Sequence, residues 1–315
     1  VMKAAVIDAF GPLTNLEFRD IPRPAIEPTQ ILVQVHAAGI NPIDWKIREG
    51  MMSARYGEDF PMVLGLDAAG IVVEVGADVT GFQPGDEVWA RSDNGPGCCY
   101  AEYVALNPST VAHKPPELSM LEAGAMPLAA LTALVGLRDC AALKAGDRLM
   151  IIGASGGVGV FAIQIAKLTG AEVTAVCSDR NAELVSSLGA DRVFDYTSQP
   201  VFTEDDQYEV IYDAVGAQTF AVAQPHLTAE GVYLTLVPTA GIDFFVPGQT
   251  QREPGKGYFV AWSPSAADLD VLAGWIGEKR LKPVTDSVWP LHEVQNAHAR
   301  SQTERAVGKI VLQVQ

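Results

Sequence analysis

The alternation of apolar and polar positions predicts short strands over the first third of the chain. These apolar runs are separated by glycine and proline turns such as Gln83-Pro84-Gly85-Asp86. The predicted strands cover residues 3–8, 31–38, 70–75, 87–90 and 101–105. We therefore expect a compact β-barrel from Met2 to about Val111.

From residue 121 onward the pattern changes its period. Residues 121–142 are rich in alanine and predict a helix, and strands then alternate with helices as in an α/β domain. The predicted strands are 148–152, 172–177, 193–195, 209–213, 231–236 and 258–262, with helices at 158–168, 181–188 and 219–226. This order is typical of a doubly wound parallel sheet.

The tail returns to a β pattern. It predicts a helix over 266–279, a strand over 284–289, a helix over 291–300 and a strand over 308–314. We expect its last strand to join the barrel. The predicted division is a barrel domain of residues 1–121 and 263–315, with a doubly wound α/β domain of residues 122–262 between them.

A glycine-rich turn joins the buried strand 148–152 to the next helix. The turn reads Gly153-Ala154-Ser155-Gly156-Gly157-Val158-Gly159, and Ala154 stands where the dinucleotide-binding fingerprint has its first glycine. A helix amino terminus presents free N–H groups and a positive dipole end, which suit a pyrophosphate. We expect Ser155, Gly156, Gly157 and Val158 to contact a dinucleotide.

The end of the following strand indicates which cofactor binds. NAD-binding sites usually place an acid there, whereas this chain has Cys177 followed by Ser178 and Arg180. A hydroxyl and a guanidinium suit a 2′-phosphate, so the pattern favours NADPH. A strand that ended two residues later would make Asp179 the ribose-binding acid and favour NADH. Tyr196, after the third strand, either binds the same phosphate or is a partly exposed strand-end tyrosine.

Composition and charge exclude several classes of function. Of the residues 48% are hydrophobic and 19% are charged, as in ordinary globular proteins. The net charge of −16 disfavours nucleic acids and anionic membranes as partners. No apolar run approaches the roughly 18 residues of a membrane span, and no secretory pattern opens the sequence, so we expect a cytoplasmic protein. The four cysteines and five histidines lack metal-site spacing.

Seven motifs follow one another along nearly the whole chain. They are Ala38-Gly39-Ile40-Asn41-Pro42-Ile43-Asp44, Leu64-Gly65-Leu66-Asp67-Ala68-Ala69-Gly70, Val79-Thr80-Gly81-Phe82-Gln83-Pro84-Gly85-Asp86-Glu87-Val88, Tyr100-Ala101-Glu102-Tyr103, Leu131-Thr132-Ala133, Gly153 to Gly159 and Gly308-Lys309-Ile310-Val311. In this order they resemble the zinc-independent quinone oxidoreductases, zeta-crystallin-like members of the medium-chain dehydrogenase/reductase superfamily, and the resemblance covers nearly the whole chain. It implies a GroES-like barrel built from both chain ends, an inserted Rossmann domain, a substrate and nicotinamide cleft between them, and a homodimer.

The sequence departs from the zinc-binding members of this superfamily at their ligand positions. The resemblance places Asn41 where the first cysteine of the catalytic metal site would be and Leu66 where the histidine would be, and the region around Leu128 offers no third ligand. The segment 90–101 is too short for the structural zinc lobe. We expect no zinc, which removes the Lewis acid that polarises an alcohol oxygen and favours electron-poor acceptors.

Four side chains are candidates for catalysis. Asn41 is predicted to donate its amide N–H to a substrate carbonyl, and Tyr56 to donate its hydroxyl or stack on a ring. Their alternatives are a turn-capping asparagine before Pro42 and a surface-loop tyrosine. Asp44 and Asp67 are acidic residues of the first and second motifs. Each also has a structural alternative: Asp44 would cap a helix that opens at Trp45, and Asp67 would hold a barrel loop by hydrogen bonds.

For the nicotinamide, the resemblance implies contacts from strand ends and from the opposite wall of the cleft. These residues are Thr132, Val215, Gly216, Val237, Pro238, Phe259 and Val260, with Lys309 as a carboxy-terminal cofactor contact. Phe259 has a core position as its alternative. Lys309 has the alternative of a solvated strand-edge lysine.

Three functions remain open at this point. The first is NADPH-dependent reduction of a small quinone, by one or two electrons. The second is NADPH-dependent reduction of an alkene in an enone or acryloyl compound. The third is an NADPH-binding protein with little catalysis, because a nucleotide-binding fold alone does not establish turnover.

Overall fold

Strands dominate both ends of the chain, and strands alternate with helices in its middle. The computed structural model describes residues 1–315. The strands are β1 (Met2–Ile7), β2 (Glu17–Ile21), β3 (Ile31–Ile40), β4 (Met62–Val63), β5 (Asp67–Val75), β6 (Glu87–Arg91), β7 (Tyr103–Leu106), β8 (Val111–His113), β9 (Arg148–Ile152), β10 (Glu172–Cys177), β11 (Arg192–Asp195), β12 (Tyr208–Asp213), β13 (Leu227–Thr235), β14 (Asp243–Phe245), β15 (Gly257–Val260), β16 (Thr285–Pro290) and β17 (Lys309–Gln313).

Most of the helices are short. They are α1 (Pro42–Arg48), α2 (Ser53–Tyr56), α3 (Met120–Ala125), α4 (Pro127–Val135), α5 (Gly159–Thr169), α6 (Ala182–Ser187), α7 (Phe220–Ala223), α8 (Ala266–Gly277) and α9 (Val294–Gln302). Short 3₁₀ turns cover Leu13–Asn15, Pro108–Thr110, Asp179–Asn181, Gln224–His226 and Leu291–Glu293, and a π-helical turn covers Gly136–Cys140. None of the helices combines the length and apolar character that a membrane crossing requires.

The chain divides into two compact units. The barrel unit contains residues 1–128, 263–279 and 283–315, and the Rossmann unit contains residues 129–262 and 280–282. The first boundary lies seven residues beyond the predicted one, because α3 packs on the barrel, where Ala125 clusters with Ala37 and Val311. The short segment 280–282 belongs to the Rossmann unit because Gln164 on α5 hydrogen-bonds both the N–H and the carbonyl of Lys282.

In the barrel unit, the chain end returns to the first strands as predicted. The larger sheet has the order β16-β17-β3-β5-β6-β8, with β7 also pairing with β3, and a smaller sheet has the order β2-β1-β4. Strand β17 runs antiparallel to β3, with Ile310 opposite Ile40. This register places Lys309, at the start of β17, beside the end of β3 and the residue that follows it, Asn41.

The Rossmann unit contains one parallel sheet of seven strands. Its order is β11-β10-β9-β12-β13-β15-β14, so the strand order reverses between β9 and β12, where open α/β sheets bind their ligands. The confirmed fold is therefore a GroES-like barrel with a Rossmann doubly wound sheet. Edge strand β14 was not predicted, since its three residues are too few to show a period.

The predicted helix over 121–142 is wrong as a single element. It consists of α3, α4 and the π-helical turn at Gly136–Cys140. Pro127 occupies the first turn of α4, where its missing N–H costs no hydrogen bond, but it interrupts the ladder that would join α4 to α3. The alanine-rich composition indicated helix correctly and did not reveal this break.

Candidate functional site

The glycine-rich turn of the Rossmann unit has the backbone of a phosphate-binding loop. Gly153 has a positive φ of 79°, and a Cβ at Gly159 would lie 2.3 Å from the Gly153 carbonyl oxygen. Both positions therefore require glycine. A Cβ at Gly156 would meet only one atom within 4 Å, the Gly153 oxygen at 3.3 Å, so space remains next to this glycine. Ser155, Gly156, Gly157 and Val158 precede α5, whose first N–H groups have no intrahelical partners.

The carboxyl end of β10 lies beside this turn. The strand ends at Cys177, as predicted, and Asp179 lies two residues beyond it in a 3₁₀ turn. Burial raises the pKa of the Cys177 thiol to about 11, so the thiol is neutral at physiological pH. Ser178 is half-buried, and Arg180 is exposed and forms no hydrogen bond or ion pair.

Tyr196 lies at the same edge of the sheet. Its backbone N–H donates to the Cys177 carbonyl over 3.3 Å, and its side chain is 51% exposed. The structure thus brings Ser178, Arg180 and Tyr196 to neighbouring strand ends. The side chains of the last two are free to meet a ligand.

Asn181 joins the glycine-rich turn to the end of β10, and sequence reasoning did not identify it. Its Nδ2 lies 3.0 Å from the Ser155 Oγ and 3.4 Å from the Ser178 Oγ. An asparagine three residues after Ser178 was the available signal, because Asn and Ser side chains commonly hydrogen-bond within such turns.

Asp213, at the end of β12, organises the next strand-end loop and was also missed. Its Oδ1 accepts hydrogen bonds from the backbone N–H groups of Val215, Gly216 and Ala217 at 2.8–3.2 Å. Its Oδ2 accepts from the Gln218 N–H at 2.7 Å and from the Tyr233 hydroxyl at 3.0 Å. A fully buried aspartate followed by a Val-Gly turn was the available signal.

The structure groups several of the predicted nicotinamide contacts around this loop. A Cβ at Gly153 would lie 2.6 Å from a Val215 methyl carbon, and one at Gly216 would lie 2.6 Å from a Val237 methyl carbon. Val215 is 53% exposed, and Pro238 is exposed next to Val237. These side chains line the carboxyl edge of the sheet at the point where the strand order reverses.

The other predicted contacts in the Rossmann unit have different surroundings. Thr132 is buried on α4, and its carbonyl accepts a hydrogen bond from the Tyr212 hydroxyl at 3.2 Å. Phe259 on β15 is half-buried and packs edge-to-face on the exposed Phe244 at 5.1 Å between ring centres, so it is not a core residue. Val260 is 4% exposed and is part of the core.

In the barrel unit, Asn41 lies between a buried ammonium and a buried carboxylate. Lys309 Nζ donates to the Asn41 Oδ1 and, over 3.0 Å, to the Ile40 carbonyl. Asn41 Nδ2 donates to Asp67 Oδ2 at 2.9 Å, and Asp67 Oδ1 accepts from the Leu128 N–H at 2.8 Å. Asn41, Asp67 and Lys309 are each at most 3% exposed, so these three side chains form one buried polar network.

Asp44 and Tyr100 extend the network. Asp44 Oδ2 accepts from the Asn41 N–H and the Tyr100 hydroxyl, each at 2.7 Å, while its Oδ1 has no partner. Burial raises the pKa of Asp44 to about 7 and that of Asp67 to about 6, and burial lowers the pKa of Lys309. Tyr100 was missed as a member, although it opens a motif that the sequence analysis singled out.

Tyr56 lies outside this network. It ends α2, its ring packs against the barrel core, and its hydroxyl is buried without a hydrogen-bond partner. A phenolic hydroxyl normally finds a partner when it is buried. The Tyr56 hydroxyl therefore has unused hydrogen-bonding capacity in this structure.

Comparison with known proteins identifies the family of this chain. Residues 27–116 match the family model described as alcohol dehydrogenase GroES-like domain, and residues 188–312 match the one described as zinc-binding dehydrogenase. The chain is 35% identical to the mitochondrial NAD(P)H oxidoreductase RTN4IP1 of Mus musculus, over 100% of this chain and 89% of that protein. It is 34% identical to the 2-methylene-furan-3-one reductase of Solanum lycopersicum, over 99% of this chain and 79% of that protein.

A solved structure agrees over the full length. The quinone oxidoreductase from Coxiella burnetii is similar with a TM-score of 0.87 at 30% identity, covering 100% of this chain and 99% of that one. The chain belongs to the quinone oxidoreductase family of medium-chain dehydrogenases/reductases. It is therefore an oxidoreductase that uses a nicotinamide cofactor.

The donor set of this family member does not fit a catalytic zinc ion. The resemblance implies three ligand positions for a catalytic zinc ion, and two of them hold the buried Asn41 and Leu66, while the region of the third contains Leu128. Zinc prefers thiolate, imidazole and carboxylate ligands, and an ammonium beside the Asn41 oxygen would repel it. No three histidine, cysteine, aspartate or glutamate side chains are placed to share a metal ion.

Three predicted environments need correction in the barrel unit. Asn41 is 1% exposed, its Nδ2 donates to Asp67 and its Oδ1 accepts from Lys309, so the amide is a buried part of the network and is not presented to a substrate carbonyl in this structure. Helix α1 opens at Pro42, not Trp45, so Asp44 accepts the Asn41 N–H from the third helical position. Lys309 is neither solvated nor at a free edge, because β17 lies between β16 and β3 and its ammonium bonds inside the unit. The contact of Lys309 with a cofactor remains a prediction.

Proposed function

We propose that this protein uses NADPH to reduce small quinones. The observation that carries the cofactor choice is the end of β10, where Cys177 occupies the place of a ribose-binding acid and the Arg180 guanidinium is exposed and unpaired. An unpaired guanidinium beside a serine hydroxyl favours a phosphate over a neutral ribose hydroxyl. Asp179 is the residue that favours NADH instead, and it lies in the turn after the strand.

The substrate class follows from the missing metal ligands. Without a Lewis acid, the oxygen of an alcohol or aldehyde gains little activation, whereas a quinone accepts electrons readily. NADPH, when bound, supplies a hydride. Reduction of a quinone to a hydroquinone then takes up one further proton, for which solvent water is sufficient.

Tyr56 is the side chain that we assign to the substrate. Its buried hydroxyl has no protein partner, and hydrogen-bond donation to a quinone oxygen would stabilise the negative charge that develops during hydride transfer. Tyr56, Phe10 and Phe60 are partly buried aromatic side chains that pack against the same barrel core, and Phe10 and Phe60 contact each other edge-to-face. Both properties suit a flat, hydrophobic ring.

A second candidate is NADPH-dependent reduction of the alkene in an enone. The relative from Solanum lycopersicum, named as a furanone reductase, favours this candidate. It would use the same hydroxyl at the carbonyl oxygen, where negative charge develops as the hydride adds to the β-carbon. A proton from solvent water then adds to the α-carbon and completes the reduction. Homodimer formation and a cytoplasmic location stay predictions of the sequence.

The test is oxidation of NADPH and NADH, followed by absorbance, with small quinones, enones and simple aldehydes. Quinone turnover that is faster with NADPH supports the proposal. Enone turnover with little quinone activity selects the second candidate, and aldehyde turnover contradicts both.

Arg180→Ala should weaken NADPH binding by about 1.5 to 3 kcal/mol, the value of a hydrogen bond to a charged group, and leave NADH binding nearly unchanged. Equal losses would refute the phosphate assignment.

Tyr56→Phe tests the substrate assignment. It should lower kcat about tenfold or more while leaving the dissociation constant of NADPH unchanged, because it removes one donor to the developing oxyanion. The control is Tyr103→Phe, which should leave kcat unchanged. Tyr103 belongs to β7, and its ring lies under the Arg23 guanidinium. An unchanged kcat in Tyr56→Phe would make this tyrosine a packing residue only.

A further inference from the structure

The side chain of Asn181 contacts both hydroxyls that flank the phosphate-binding turns. One hydroxyl belongs to Ser155, in the glycine-rich turn before α5, and the other to Ser178, directly after β10. The serines are 23 positions apart in the sequence. Asn181 is the side chain that links the two segments.

The side-chain amide nitrogen of Asn181 determines which atom donates in each of these hydrogen bonds. An amide nitrogen donates and does not accept, so each serine oxygen accepts from Asn181. A serine hydroxyl has one hydrogen, and that hydrogen therefore stays available to an outside acceptor. Asn181 thus keeps both hydroxyls as donors, which is what anionic phosphate oxygens require.

The backbone shows that this arrangement replaces a more usual one. Asn181 precedes α6 at its N-cap position, where an asparagine side chain typically accepts an N–H of the first helical turn. Here it makes no capping hydrogen bond. The Asn181 N–H donates to the Ser178 carbonyl at 2.9 Å, which closes the 3₁₀ turn, and the side-chain nitrogen lies against the two serine hydroxyls.

We propose that Asn181 is a specificity-determining positioning residue for NADPH. It holds the Ser178 hydroxyl hydrogen for the 2′-phosphate and the Ser155 hydroxyl hydrogen for the diphosphate, and so couples the two phosphate sites. This inference rests on the proposed NADPH function. It predicts that the affinity for the 2′-phosphate of NADPH depends on the conformation of the glycine-rich turn as well as on Arg180.

The test measures dissociation constants of NADPH and NADH by fluorescence titration. Asn181→Ala should weaken NADPH roughly tenfold and NADH less, because one donor-orienting contact is lost at each phosphate site and NADH meets only one of them. Asn181→Asp should weaken NADPH further, since a carboxylate accepts both serine hydrogens and repels phosphate. Asn296→Ala, at an exposed asparagine of the barrel unit, is the control and should change neither constant.

Two results separate this inference from the proposed function. If the wild-type protein does not prefer NADPH, the cofactor proposal fails and this inference fails with it. If the wild-type protein prefers NADPH but Asn181→Ala weakens both cofactors equally, only the inference on Asn181 is overturned. The thermal unfolding midpoint of each variant shows whether an equal loss comes from a general loss of structure.

A mutant cycle tests whether Asn181 acts through the serines. Adding Asn181→Ala to the double variant Ser155→Ala/Ser178→Ala should cause no further loss of NADPH affinity, because the hydroxyls that Asn181 orients are then absent. A further tenfold loss would show that Asn181 contributes by another route and would overturn the proposed mechanism.

Discussion

The ammonium of Lys309 and the side-chain carbonyl of Asn41 form a buried hydrogen bond that fixes the orientation of the Asn41 amide. On the other side, the amide nitrogen faces the Asp67 carboxylate at 2.9 Å. A flipped amide would place its NH₂ group against the ammonium and its oxygen against the carboxylate. The Lys309 ammonium and the Asp67 carboxylate therefore favour the same orientation of the Asn41 amide, which lies between them.

Lys309→Met should destabilise the barrel unit strongly. The variant removes the buried ammonium that favours the ionised forms of Asp44 and Asp67, and leaves only the weaker influence of Arg91 at Asp67. Loss of one charge from such a buried group of opposite charges costs about 3 to 5 kcal/mol. The cost should be larger at pH 8 than at pH 5, because the carboxylates can take up protons at the lower pH. Chemical denaturation at both pH values measures it.

Lys256→Met is the matched control for this prediction. The Lys256 ammonium pairs with Asp243 at 3.5 Å, and both side chains are about half exposed to solvent. Exposed ion pairs contribute about 0 to 1 kcal/mol. Equal effects of the two substitutions would show that the buried network does not depend on Lys309.

Asn41→Asp should destabilise the protein, and Asp67→Asn should rescue it. The single variant puts a carboxylate oxygen against Asp67, at a cost of about 3 kcal/mol or more at neutral pH. In the double variant the amide introduced by Asp67→Asn can donate to the carboxylate introduced by Asn41→Asp and still accept the Leu128 N–H. Free energies of unfolding of both single variants and the double variant form the cycle. Simple additivity would contradict the orientation argument.

Asp44→Asn should become more stable relative to the wild type as the pH rises from about 4 to 7. Burial raises the pKa of Asp44 to about 7 in the folded protein, so the folded state binds a proton that the unfolded state has released above about pH 4. Wild-type stability therefore falls with rising pH in this window, by at most about 1.4 kcal/mol per pH unit. Asparagine does not titrate. Unfolding curves at pH 4, 5.5 and 7 measure the difference, and a constant difference would place the Asp44 pKa near its ordinary value.

His298→Gln should show the opposite pH dependence. His298 on α9 is fully buried and its Nδ1 accepts from the Arg48 guanidinium at 3.2 Å, so the ring is neutral with its hydrogen on Nε2. Burial, and then the Arg48 charge, lower the pKa of His298 to about 3. The unfolded chain takes up this proton below about pH 6.5, so wild-type stability is lost as the pH falls from there. Glutamine removes that loss, and the stability of the variant relative to the wild type should increase between pH 7 and 4. A pH-independent difference would mean that His298 titrates alike in both states.

Local patterns predicted the backbone elements around the candidate Rossmann site. Strand β10 was predicted from Glu172 to Cys177 and has those ends, because an apolar run bounded by polar residues defines a buried parallel strand. The glycine-rich turn was likewise visible, since a strand followed by glycines and an apolar helix is contiguous in sequence. Asn181 and Asp213 were not visible as organisers, because their roles depend on which loops lie beside them.

The sequence by itself determined the two kinds of domain and the position of the glycine-rich turn, because each is a matter of residue type and local period. The placement of Asn41 and Leu66 at zinc-ligand positions came from the resemblance to a family. Only the tertiary structure decided what the buried polar groups do. The network residues Asn41, Asp44, Asp67, Tyr100 and Lys309 come from four segments of the chain, since Asn41 and Asp44 both belong to the start of α1. Lys309 meets Asn41 only through the pairing of β17 with β3. A charge that looks solvated in a sequence becomes the centre of a buried network when a distant strand supplies its partner, and no local pattern encodes that pairing.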